Sequence, residues 1–167
     1  MHPTSTMPKT KITGLLHTSN DALHLGRALD SLRVCDEVVV VDHGSSDDTV
    51  KVAREHGAKV VQAVNGVDRG AYVQDASNDW ILCLRPSESL ADELEASLFD
   101  WRENEHADNA IGFNIAIREQ KGQGWEFLPA EMRLANRKQI NWTGDLPPEF
   151  PNAPSLRGHI LRIHPDE

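Results

Sequence analysis

Residues 37–41, EVVVV, run directly into DHGSSDDTVKVAREHG. A β-branched stretch with no polar face suits a strand buried on both sides, as in a parallel sheet. Parallel neighbours cannot be joined by a hairpin and need crossovers, usually helical. The flanking sequence supplies them. Residues 11–18, KITGLLHT, read as a first strand, and Asn20 or Asp21 can cap a helix over 22–32 that sets Ala22, Leu25, Leu29 and Leu32 on one face. After EVVVV, Gly44 allows a tight turn, Ser46 or Asp47 can cap, and a helix near Thr49 to His56 ends at Gly57. KVVQAV at 59–64 is a third strand, 65–79 a loop with one short helix, and WILCL at 80–84 a fourth strand. A helix is expected from Ser89 to about Glu103, with Leu90, Leu94, Leu98 and Trp101 at helical spacing and Ser89 with Asp92 as a loose capping box.

Alternating strands and helices predict an α/β fold with a mostly parallel first half. The pattern changes after residue 109. AIGFNIAI reads as a long strand, REQKGQG as a turn, WEFLPAEMRLA as renewed extension and HILRI at 159–163 as a last strand. DLPPEFPNAP, with four prolines, must be mostly loop. One domain is expected over 11–167, its 11–108 half parallel and its 109–167 half mixed or antiparallel, behind a flexible tail at 1–10.

The 17 basic and 26 acidic residues leave a net charge of −9, which argues against nucleic acid as a partner. No apolar run reaches the roughly 20 residues that span a bilayer, and the first ten residues lack a signal-peptide core. A cytoplasmic protein, able to lie against the inner face of the membrane, is the expectation. Cys35 and Cys83 read as two buried thiols.

Ligands of open parallel sheets bind beyond the carboxyl ends of the strands. Three polar groups fall there: His17–Thr18–Ser19–Asn20, Asp42 through Asp47, and Arg85–Pro86–Ser87–Glu88. Asp42 closes an apolar strand, so its carboxylate can accept from a base N–H or a sugar hydroxyl. A plain capped turn explains the same residues. His43 beside Asp42, Asp47 and Asp48 is not expected to form a metal site, because neighbours in one tight turn rarely converge on an ion. The tryptophans read as packing residues, except that Trp125 can serve as a stacking platform on the acceptor side.

VVVVDHGSSDDTVKVAREHGAKV closely resembles the second strand and helix of family 2 glycosyltransferases, which have the GT-A fold. The match runs through Asp42, Gly44, Ser45, Asp47, Thr49 and Gly57. HTSND stands where that family carries T-x-N-E/D, and NDWILCL corresponds to its G-D-W-I-L-x-L. Downstream, AIGFNIAI, MRLANRK and GHILRIH are similar to elements of the bacterial lipopolysaccharide core type. The resemblance implies a three-layer α/β/α domain with a nucleotide-binding half and an acceptor-side half, shorter at its C-terminus than family members. It implies a nucleotide diphosphate sugar as donor and a glycan or lipid-linked acceptor. Asp42 and Thr18 would line the base pocket, Arg69 would face the nucleotide, and His17, Asn20, Ser87 and Glu88 would stand nearby.

Departures from the family pattern carry as much weight. Where the family has L-D-A-D-E, with aspartates that help hold a divalent cation, this chain has Leu84–Arg85–Pro86–Ser87–Glu88. Mg or Mn would bind only if Glu88 and Asp42 sufficed, so no cofactor is expected. Two readings of Arg85 stay open: its guanidinium replaces the metal and takes phosphate oxygens directly, or it pairs with Asp42 or Glu88 in a decayed site. The expected base position falls at Pro129, leaving Glu131 as the nearest carboxylate, and a family His-Glu pair appears as Pro148–Glu149. If active, the chain would be an inverting transferase. A non-catalytic module binding a nucleotide, a glycan or a protein is the alternative.

Overall fold

A computed structural model describes residues 10–104 and 110–164. The tail expected at 1–10 therefore lies, apart from Thr10, outside the described residues. Eight strands form one sheet: β1 (Ile12–Thr18), β2 (Glu37–Asp42), β3 (Lys59–Gln62), β4 (Trp80–Cys83), β5 (Glu88–Leu90), β6 (Gly112–Lys121), β7 (Gly124–Asn136) and β8 (Ser155–Arg162). Their order across the sheet is β3-β2-β1-β4-β7-β6-β8-β5. β1 runs parallel to β2 and β4, and β2 parallel to β3. β7 is antiparallel to β4 and β6, and β8 lies parallel to β6 and antiparallel to β5. A parallel half thus passes into a mixed half within a single sheet.

The helices are α1 (Ala22–Asp30), α2 (Thr49–Glu55) and α3 (Asp92–Glu103). All three pack on one face, where Leu25, Ala53, Leu94 and Leu98 join Leu16, Val40 and Leu82 in one buried cluster. The other face buries Leu15, Val39 and Val41 under Tyr72 and Val73 of a 3-10 segment, Arg69–Asp75, and under Ile140 and Trp142. The apolar run of β2 has no polar face because its side chains enter both clusters alternately. The third layer is therefore one 3-10 segment and a strap over residues 140–146.

Two expectations need correcting. Ser89 does not open a helix: Glu88–Leu90 is a strand, and α3 begins at Asp92 after Ala91, with no side-chain cap. Asp92, Glu93 and Glu95 in the first turn instead favour its positive end. Leu90 faces the same cluster as Leu94, so its spacing continued the helical pattern without belonging to the helix. The segment REQKGQG is not all turn, since β6 continues to Lys121, which pairs with Gly124 across a two-residue loop. Gly122, at φ +58°, takes the left-handed backbone such a loop requires.

Candidate functional site

The carboxyl ends of β1, β2 and β4 bring His17, His43 and Arg85 to one edge of the sheet. Their loops are stitched together. Asn20, itself at φ 55°, accepts from the Ser46 amide at 2.8 Å and from the Asp47 amide at 3.3 Å. The Asp21 amide donates to Thr49 Oγ1 at 2.8 Å. Asn20 thus spends its amide oxygen holding two loops in register. Asp42 is almost wholly buried; it accepts from the Ser45 amide at 3.0 Å, from the Ser45 hydroxyl and from Thr18 Oγ1 at 3.2 Å. Both carboxylate oxygens therefore shape the turn.

In front of that turn stands a wall. His17 Nδ1 and His43 Nε2 lie 2.8 Å apart, so one ring donates and the other accepts. One guanidinium nitrogen of Arg69 bridges both oxygens of Asp145 at 2.8 Å, and Asp145 approaches His17 Nδ1 at 3.8 Å. Tyr72 meets both imidazoles edge-on. The strap reaches this position because residue 70 is glycine: a Cβ there would lie 2.1 Å from the Trp142 carbonyl oxygen. Burial pushes the His17 imidazole down to about 4, assisted by His43 and Arg69 and opposed by Asp145. His17 is neutral at pH 7, its side chain is 3% exposed, and its Nε2 has no hydrogen-bond partner among the described residues. Burial and Arg69 also lower His43.

The wall divides the cleft. On one side His43, Gly44, Arg69 and Tyr72 border a cavity of about 440 Å³. On the other, His17, Arg85, Ser87, Asp145 and His164 border one of about 270 Å³. Arg85 is exposed, and its guanidinium makes no ion pair among the described residues, with Asp42 and Glu88 included. Glu88 does not line either cavity. It is 0% exposed, accepts from Arg133 at 2.6 and 2.9 Å and from Arg162 at 3.0 Å, and takes the Arg85 backbone amide at 2.8 Å. Burial works to raise its carboxyl, but the Arg133 hydrogen bond and charge, the Arg85 amide and Arg162 hold it below the usual carboxylate range. Arg133 is equally buried and sits where the β6–β7 register slips by one residue. Glu131 is engaged as well, with Arg133 Nε at 3.2 Å and Arg162 at 4.0 Å.

A hard divalent cation needs several free oxygen ligands. Here Asp42 holds its turn, Glu88 holds two arginines and Asp145 holds Arg69. Among the described residues no group of three or more His, Cys, Asp or Glu is arranged to hold a metal ion. The donor set of the described residues does not fit Mg or Mn. Sequence reasoning brought His17, Arg69 and Arg85 to one cleft, but missed His43 as a wall residue and missed Tyr72, Asp145, Arg133 and Arg162. Tyr72 is the only tyrosine of the chain, a weak signal, and nothing local marks Asp145. No helix among the described residues is long and apolar enough to cross a membrane.

No family model matches the chain. It is similar to proteins described as uncharacterized glycosyltransferases: one from Rickettsia felis, 32% identical over 137 residues, 77% of this chain and 48% of that protein, and one from Rickettsia conorii, 32% identical over 77% of this chain and 49% of that protein. The chain thus spans about half the length of these relatives. Among solved structures, Staphylococcus aureus TarS (1–349) superposes with a TM-score of 0.53 at 21% identity, covering 72% of this chain and 38% of that one. With a parallel half passing into a mixed half in one sheet, these likenesses give the chain a GT-A type of α/β fold and make it similar to proteins described as glycosyltransferases.

Proposed function

We propose that this chain is a nucleotide-sugar-binding scaffold in which arginine takes the place of the divalent cation and glycosyl transfer has been lost. The observation that carries this reading is Arg85: an exposed guanidinium, without an ion-pair partner among the described residues, at the cavity where the family's acidic motif would stand. A guanidinium meets phosphate oxygens directly and needs no metal to do so. Arg69, on the far side of the wall, is the second candidate phosphate contact, with Thr18 and Asp42 shaping the turn beneath the base. The loss of transfer is supported by Glu131. In direct displacement, the bond from the anomeric carbon to the diphosphate oxygen breaks as an acceptor oxygen attacks, and a base takes the acceptor proton. Glu131 is the nearest candidate, and cations already flank both its oxygens.

Calorimetry of the chain with UDP, GDP, CDP and their sugars, each with and without Mn²⁺, tests the reading. One nucleotide should bind with the same affinity in either condition. Arg85→Ala should weaken it by about 10- to 100-fold, the range for a hydrogen bond to a charged group. Sugar-nucleotide turnover should stay at background. Tight binding that requires Mn²⁺ overturns the assignment of Arg85. Binding of no nucleotide leaves the glycan- or protein-binding alternative on the same fold, which Asp145, already seated on Arg69, would favour.

A further inference from the structure

The hairpin of β6 and β7 carries an aromatic surface away from the cleft. Arg118 faces Phe127 across the ladder and Gln120 faces Trp125, so these four side chains share one face. Trp125 is 40% exposed and Phe127 63% exposed. The Arg118 guanidinium carbon lies 5.2 Å from the Trp125 ring centre and 5.6 Å from that of Phe127. Arg118 has no carboxylate partner among the described residues, whereas Arg33, Arg69, Arg102, Arg133, Arg137 and Arg162 each have one. His159 of the neighbouring strand meets Phe127 edge-on at 5.6 Å.

Two flat rings two residues apart on a strand offer apolar surfaces about 7 Å apart. The C–H faces of pyranose rings stack on such surfaces. A cation already held between the rings keeps its N–H groups for an anion, and a planar guanidinium suits carboxylate and phosphate alike. We propose that the hairpin face bearing Arg118, Trp125 and Phe127 is a docking site for an acidic saccharide, one that carries a carboxylate or a phosphate group. A membrane surface is the competing use of exposed aromatics beside basic residues. The hairpin tip speaks against it: Gln120, Lys121, Gly122, Gln123 and Gly124 are polar or lack an apolar side chain, and the rings lie on the strand face behind them. The site is independent of nucleotide binding. Glu119, next to Arg118 in β6 and on the opposite face, is the residue that turns toward the cleft, where it bonds His164 of the Arg85 cavity at 2.7 Å.

The test is calorimetry of the full chain with trigalacturonate, a phosphorylated maltotriose, neutral maltotriose and inorganic phosphate. At least one acidic trisaccharide should bind saturably, about tenfold or more tighter than neutral maltotriose or phosphate alone; which acid binds identifies the anion. Arg118→Gln should abolish the preference for acid over neutral sugar. Phe127→Ala should weaken binding about tenfold while the unfolding midpoint and the nucleotide titrations stay unchanged. Trp125→Phe keeps a ring and the fold, and should remove the saccharide-induced change in tryptophan fluorescence. The proposal falls if neither acidic trisaccharide binds, if binding survives intact in Arg118→Gln, or if only phosphatidylglycerol vesicles bind. Failure of UDP, GDP and CDP all to bind, alongside intact saccharide binding, would sink the nucleotide reading and leave this one standing.

Discussion

His17 shows how far surroundings can move one side chain. Its imidazole titrates near 4 when folded, against an ordinary value of about 6.5. The unfolded chain therefore binds more protons between those two values, and stability rises with pH across that window. The contribution is complete above about pH 6.5 and is lost as pH falls toward 4. Two and a half units correspond to roughly 3 kcal/mol at most. Urea midpoints of the wild type and of His17→Gln, compared at pH 7 and pH 4.5, should converge at the lower pH. Parallel curves would show that the buried imidazole carries no such linkage. Nothing in the local sequence announces this shift, because its main cause is burial in the folded chain, assisted by His43 and Arg69. Asp42 teaches the complementary lesson. Its place at the end of a buried strand was legible, yet its oxygens turn out to be bonded to Ser45 and Thr18.

At the scale of elements, the strap over 140–146 decides how open the cleft is. It is held at one point by the absence of a side chain at Gly70 and at another by the Arg69–Asp145 pair. Both partners of that pair are partly exposed, so the pair itself adds little to stability. A diphosphate entering beside Arg69 must compete with the Asp145 carboxylate. Asp145→Asn should therefore raise nucleotide affinity several-fold with little change in unfolding midpoint, as read by calorimetry and thermal unfolding. Unchanged or weaker binding would mean that Asp145 does not compete with the ligand. The strap escaped sequence reasoning because it has no periodicity. β5 escaped for a different reason: it is three residues long and its pairing partner, β8, lies about 70 residues onward. The helices and parallel strands were legible because their signals are local: apolar period and turn glycines.

For the molecule as a whole, the most consequential contact is Glu88 with Arg133 and Arg162, which joins β5, β7 and β8. The parallel half followed by a mixed half could be read from the sequence. How the two halves lock could not, since a bulge in β7 turns Arg133 inward and no alternation pattern encodes a bulge. Removing one partner of a buried pair leaves a charge without compensation and typically costs about 3–5 kcal/mol. Glu88→Gln should lower stability by about that amount in urea unfolding, and a loss under about 1 kcal/mol would contradict a structural role for the cluster.

The same carboxylate also anchors the loop that precedes it. Glu88 accepts the Arg85 amide, while the side chains of Arg85 and Ser87 make no hydrogen bond among the described residues. The shape of the loop is thus guaranteed by one residue and its chemistry displayed by two others. Substitutions at the displayed positions disturb no packing and cost little in folding. A lineage can exchange cation-dependent for cation-free recognition there without passing through an unstable intermediate, because inheritance of the fold and inheritance of the reaction rest on different side chains.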